Sequence, residues 1–233
     1  MRVLLVVQNY LPFIGGIETH AQQVAHALVG MGHGVRIVAG NFTPYRGSQR
    51  LGTLYTSLTA PRHADYSDGP IPVHALTPRG ADRIKMLPIA LRALPRVQRY
   101  AFHKLHAFGY PWYRGAYLAR MRKWAGESDV VHALASSYIG WLAQEAAAGC
   151  NVPFVCTPFC HPGQWGDGPP DIRYYRRANA VIGLVETDRQ YLVSLGVPRE
   201  RLHVIGVSPA LPPRCDPAGF RARHGWTEQP VVL

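Results

Sequence analysis

Apolar positions run without a break from Val3 to Val7, after which the chain turns polar at Gln8 and Asn9 and meets Pro12, Gly15 and Gly16. A continuous apolar run of this length fits a central parallel strand buried on both faces. From Ile17 the spacing changes. Ile17, Ala21, Val24, Ala25, Leu28 and Val29 recur at the three- and four-residue intervals of one helical face. Gly30, Gly32 and Gly34 end that pattern, and Val35, Ile37, Val38 and Ala39 open a second strand. Strand, glycine-bearing loop, helix, strand is the start of a doubly wound sheet.

The pattern resumes further along. Short apolar runs predict strands at 129–132, 154–157, 180–184 and 202–205, with helices at 139–148, ended by Gly149, and at about 187–195, stopped by Gly196 and Pro198. Residues 41–78 are rich in turn formers, among them Pro44, Pro61 and the run Asp68-Gly69-Pro70. Residues 206–217 carry Pro209, Pro212, Pro213 and Pro217 and read as a linker, and Val231-Val232-Leu233 opens what reads as a new strand. The expected fold class is therefore α/β, a Rossmann-like, doubly wound and mostly parallel sheet over 1–207. Residues 208–233 are expected to form an interdomain linker and the start of a further domain.

Charge narrows the chemistry. The 233 residues carry 25 Lys and Arg against 14 Asp and Glu, a net charge of +11, although charged residues make up only 17% of the chain. An average soluble domain has about 25%, so the excess comes from missing acids and favours anionic partners. Much of it lies in residues 79–124, where Arg79, Arg83, Lys85, Arg92, Arg96, Arg99, Lys104, Arg114, Arg120, Arg122 and Lys123 face one acid, Asp82. Aromatic and aliphatic residues are interleaved among them. Three readings stand: a helical insertion lying on an anionic membrane surface, a stacking platform for single-stranded nucleic acid, or an insertion packed on the sheet with solvated arginines. The preferred partner set includes the membrane surface and excludes nucleic acid, with Arg92, Arg96 and Arg99 as membrane contacts.

No apolar run approaches the roughly 18–20 residues of a spanning helix, and the run at Val3–Val7 is too short for a signal-peptide core. Four cysteines are too few for a disulfide scaffold. Cys156, Cys160 and His161 lack the four-ligand spacing of a zinc site, so the cysteines read as buried strand thiols and no metal is expected. A cytoplasmic location, peripheral at the inner face of the membrane, fits this balance.

The loop 8–16 is the first candidate site. Glycines between a parallel strand and a helix let backbone N–H groups approach an anion, and the helix N-terminus adds the positive end of its dipole. A tight turn, with Glu18 simply favourable in the first helical turn, is the alternative. A nicotinamide-type Rossmann site is disfavoured, because there is no G-x-G-x-x-G and the second strand ends Val38-Ala39-Gly40-Asn41 without a ribose-binding acid.

The stretch from Pro12 to Glu18 (Pro-x-x-Gly-Gly-x-Glu), Gly32-His33-Gly34-Val35 and Asp129-Val130-Val131-His132 resembles the N-terminal half of retaining family-four glycosyltransferases. So do Arg177-Ala178-Asn179-Ala180-Val181-Ile182, then Leu192 to Pro198, then Arg201 to Ile205, in that order over residues 1–207. The resemblance implies one half of a GT-B fold, two Rossmann-like domains across a cleft. It implies a nucleotide diphosphate sugar as donor substrate, with Gly15 and Gly16 facing the diphosphate and no separate cofactor. It places the acceptor on this half, where Tyr10 and His132 are the candidates, and a core histidine is the alternative for His132.

Two departures bear on the site. Many members follow the strand matching 154–157 with Thr-x-His, whose histidine lies near the transferred sugar. Here the run is Thr157-Pro158-Phe159-Cys160-His161, so His161, the catalytic candidate, stands two residues late. The usual Asn-Gly-Val-Asp after the last strand appears as Ile205-Gly206-Val207-Ser208. The family's basic phosphate pair and acid-x7-acid motif belong to a C-terminal donor domain that residues 208–233 do not contain, so the chain alone is expected to be inactive and to need that domain in cis or in trans. A lipid-linked or envelope saccharide is the expected acceptor, because of the basic segment. The alternative is a non-catalytic half that docks on membranes or presents the acceptor. His20 and His26, on the first helix without metal-ligand spacing, read as structural.

Overall fold

The computed structural model describes residues 1–40, 65–90, 106–207, 216–226 and 230. Eight strands form one sheet in the order β3-β4-β2-β1-β5-β6-β7-β8. They are β1 (Arg2–Val7), β2 (Gly34–Ala39), β3 (Asp65–Asp68), β4 (Ile71–Ala75), β5 (Val130–Leu134), β6 (Phe154–Cys156), β7 (Ala180–Gly183) and β8 (Leu202–Val204). Every neighbouring pair is parallel except β3 and β4. This is the doubly wound, mostly parallel α/β sheet expected from the alternating pattern.

The helices are α1 (Gly16–Gly30), α2 (Asp82–Ala90), α3 (Tyr110–Gly126), α4 (Ser137–Gly149), α5 (Pro169–Arg177), α6 (Glu186–Ser194) and α7 (Pro217–Arg223). Alternation along β1 divides the core. Val3, Leu5 and Val7 join Ala21 and Ala25 of α1 on one face. Leu4 and Val6 join Met121 of α3, Ile139 and Leu142 of α4 and Tyr174 of α5 on the other. A strand sandwiched this way must be apolar at every position, which is why Val3–Val7 shows no alternation. The α1 helix ends where Gly32 takes the left-handed conformation (φ +82). Its N–H then bonds the Val29 carbonyl, and the His33 N–H bonds that of Leu28.

Three elements differ from the sequence expectation. The turn formers at 68–70 join a hairpin, β3 to β4, with Gly69 at φ +56. The β3 strand is polar (Asp65, Ser67, Asp68), and β4 alternates, burying Ile71, Val73 and Ala75 around Pro72 and His74, so no continuous apolar run marked either. The α5 helix begins at Pro169-Pro170 and buries Asp171, Tyr174 and Tyr175, a proline start that reads as loop until the aromatic spacing is noticed. Within the proline-rich stretch taken as linker, Pro217 opens α7, whose first turn is capped by Asp216 accepting the Gly219 N–H at 2.8 Å.

The basic segment is in part ordinary packing. The α3 helix buries Ala116, Tyr117, Leu118, Met121 and Ala125. Three cations of the segment are paired within the chain: Arg114 Nε donates to Glu145 at 2.7 Å and Lys85 of α2 to Asp82 at 2.9 Å, both on the surface, and Arg120 donates to the Thr77 carbonyl at 2.7 Å, partly buried. Arg92, Arg96 and Arg99 lie outside the described residues. Among the described residues no helix is long and apolar enough to cross a membrane.

Candidate functional site

Strand order reverses between β1 and β5. From β1 the chain passes outward to β2 and β4, and then crosses back to β5 and on to β8. Open parallel sheets bind ligands in the crevice outside the carboxyl ends at such a switch point. Three loops meet there: residues 8–15 after β1, residues 135–136 after β5, and the strap 157–168 after β6.

The loop after β1 ends on Gly15, the N-cap of α1, with φ −158 and ψ 176. That extended backbone suits any residue, so conformation does not require glycine at position 15. A side chain on Gly15 would fall on the Glu18 carboxylate, which folds back over the head of its own helix. A Cβ on Gly16 would meet nothing within 4 Å. Gly16 therefore presents open surface at the positive end of a fifteen-residue helix.

Tyr10 is placed otherwise than expected. It is fully buried, and its hydroxyl donates to Asp68 at 2.7 Å. Gln22 and His26 also bond that carboxylate, so Asp68 ties the hairpin tip to α1. Burial and the Asp68 charge hold the Tyr10 phenol well above its usual range. Tyr10 is a core residue here and offers no surface to an acceptor.

His132 stands at the middle of β5, with Nε2 2.9 Å from Thr157 Oγ1. Burial, helped by neighbouring His20, pushes its imidazole down to about 4, so it is neutral at pH 7. His20, on the second turn of α1, is half-buried. Its ring meets Phe159 edge-on, 6.0 Å between centres at 79°, and burial lowers its proton affinity too. Phe159 holds φ +47, a strained conformation for an aromatic residue. The structure thus gathers His20, His132, Thr157 and Phe159 beside the switch point. The sequence alone presents His20 as a structural residue, so its place here is a difference from expectation. The available signal was its position four residues after Gly16, one turn below on the same helical face.

His161 lies further along the strap and is exposed. Its backbone pairs with Trp165 in an isolated bridge (His161 N to Trp165 O, 2.9 Å), and the two rings are 4.1 Å apart. The strap is well anchored. Trp165 Nε1 donates to the Phe159 carbonyl at 3.1 Å, the Gly163 N–H to Asp167 at 2.6 Å, and Tyr175 to the Gly166 carbonyl at 2.7 Å. Across from it, buried Asp171 accepts the Ser137 N–H at 3.1 Å and Trp141 Nε1 at 2.8 Å. This fixes the head of α4, where Ser137 has φ +65. Among the described contacts, none joins His161 to His20 or His132.

Among the described residues no three His, Cys, Asp or Glu side chains converge as a metal site. Burial pushes the Cys160 thiol up to about 11 and Cys156 higher still, so both are unreactive thiols at neutral pH.

A family described as glycosyl transferase 4-like domain matches residues 15–208. No curated protein matches the chain. Among solved structures, sucrose-phosphate synthase from Thermosynechococcus elongatus superposes with TM-score 0.58 at 14% identity, covering 96% of this chain and 52% of that one. Anabaena HepE in complex with UDP and glucose gives 0.57 at 16%, covering 97% and 50%. The UDP-GlcNAc 2-epimerase of Methanocaldococcus jannaschii gives 0.51 at 10%, covering 89% and 46%. The chain therefore spans about half the length of these structures. At such identities the likeness is one of fold, and the fold serves more than one chemistry.

Proposed function

The chain belongs to the glycosyl transferase 4-like domain family, and on that premise we propose that it is the acceptor-side half of a retaining GT-B glycosyltransferase. In this reading a sugar passes from a nucleotide diphosphate to a lipid-linked or envelope saccharide, with configuration retained. The observation that carries the reading is Gly16, open at the head of α1 beside the β1/β5 switch point. Its first-turn amides would take the diphosphate's charge. The acceptor would lie against the strap and β5, near His132, and His161 would meet the transferred sugar from the strap. A second half, in cis or in trans, would hold the rest of the donor. Positioning and leaving-group stabilisation carry such a reaction, with neither a metal nor a paired general acid and base.

A second reading, a membrane-docking half without turnover of its own, is favoured by one observation. Ile84 and Leu87 of α2 and Phe108 before α3 are 75%, 46% and 63% exposed, within the most basic part of the sequence. The same surface serves the first reading by bringing the enzyme to a lipid acceptor.

The test is Gly16→Val in the two-domain enzyme. The Cβ has free space, so the fold should survive with unchanged melting temperature, while turnover of nucleotide sugar falls at least about 100-fold as diphosphate approach is blocked. Unchanged turnover would make the loop an ordinary turn.

A further inference from the structure

Building on the reading that a diphosphate settles on the first turn of α1, we propose that His20 answers the arriving charge, taking up a proton as the diphosphate binds and countering the negative charge of the leaving group. His20 follows Gly16 by four residues, so both lie on one face of α1, and a helical side chain leans back over the turn before it. Helix geometry therefore leans its imidazole toward the turn that carries Gly16. The ring is held there by Phe159, edge-on at 6.0 Å, and Phe159 is itself kept at φ +47 by a strap bonded through Trp165 and Gly166.

The groups around His20 leave it as the one able to respond. From β5 comes His132, bonded to Thr157 at 2.9 Å and kept neutral by its burial. From the strap come Thr157 and Phe159, both uncharged. On its own helix Glu18 lies over Gly15, an anion already at the helix head and displaced or outweighed when a dianion arrives. Without a ligand, burial disfavours the imidazolium. An opposite charge within about 4–6 Å reverses that preference. The exchange balances simply: solvent gives one proton, the imidazole keeps it, and no other bond changes.

The experiment is a residue-resolved NMR titration of the histidine rings in the chain of 233 residues, with and without inorganic pyrophosphate, His20→Gln identifying the His20 signal. Saturating pyrophosphate, registered by the Gly15 and Gly16 amides, should raise the His20 titration midpoint by about one pH unit. Sodium chloride at matched ionic strength should leave the midpoint in place. If the two amides respond while the His20 midpoint stays fixed, this inference is overturned and the diphosphate reading stands. If the amides do not respond at all, the diphosphate reading falls and the inference falls with it.

Discussion

His132 shows how burial sets the chemistry of a single residue. An imidazole in the unfolded chain titrates near 6.5, and this one near 4 when folded. Between those values the unfolded state binds the extra proton, so stability falls as pH drops from about 6.5 to about 4 and levels off below. The full effect approaches about 3 kcal/mol. Urea unfolding at pH 7 and pH 4.5 should show the loss, and His132→Gln should show less of it by a comparable amount. An equal loss in both proteins would mean that His132 is solvated. At this scale the sequence was legible where a residue type has few uses. Two glycines where a strand gives way to a helix mark either an anion-binding loop or a tight turn, and the structure puts Gly16 at open surface. It was illegible where the role depends on distant partners. Nothing near Tyr10 in the chain announces Asp68, 58 residues away, and nothing near His20 announces His132 or Phe159.

Elements were legible where burial imposes a period. The doubly buried β1 and the amphipathic α1 could be read directly, whereas the polar edge strand β3 had no period to read, because an edge strand buries so little, and the five-residue alternation of β4 was hidden among turn formers. The α2–α3 region shows a different failure. Aromatics interleaved with arginines describe equally well a surface helix and a packed one, and α3 proves to be packed. Among the described residues of this region, Ile84, Leu87 and Phe108 are the exposed large apolar side chains left for a lipid surface. Each nearby cation adds up to about 1 kcal/mol at an anionic leaflet, and each inserted apolar side chain adds roughly 25 cal/mol per Å². The protein should therefore float with anionic liposomes at low salt, release at 1 M salt as the Debye length shrinks to about 3 Å, and lose binding in the Arg92→Glu, Arg96→Glu, Arg99→Glu triple variant or in Ile84→Asp. No flotation at low salt would leave α2 an ordinary solvated helix.

For the whole molecule, the sheet order decides where chemistry can happen. Reversal between β1 and β5 marks the carboxyl rim where open sheets take ligands, and the heads of α1 (Gly16) and α4 (Ser137) and the strap carrying Phe159 follow strands that end there. Strand–helix alternation in the sequence implied a parallel sheet, and the resemblance to one half of a GT-B fold implied an open, doubly wound one. Which side chains share the crevice depended on loop paths that no local pattern encodes. A net charge of +11 offers an anion many places to bind, so the location of binding is the decisive observation. Backbone amide shifts of the 233-residue chain, followed during titration with inorganic pyrophosphate, report that location. If the diphosphate settles at the head of α1, the largest shifts fall on Gly15, Gly16, Ile17 and Glu18, with neighbours at Ser136, Ser137 and Phe159, and Gly16→Val removes them. Shifts confined to the arginine-bearing helices α2 and α3, with Gly15 to Glu18 unmoved, would contradict that placement.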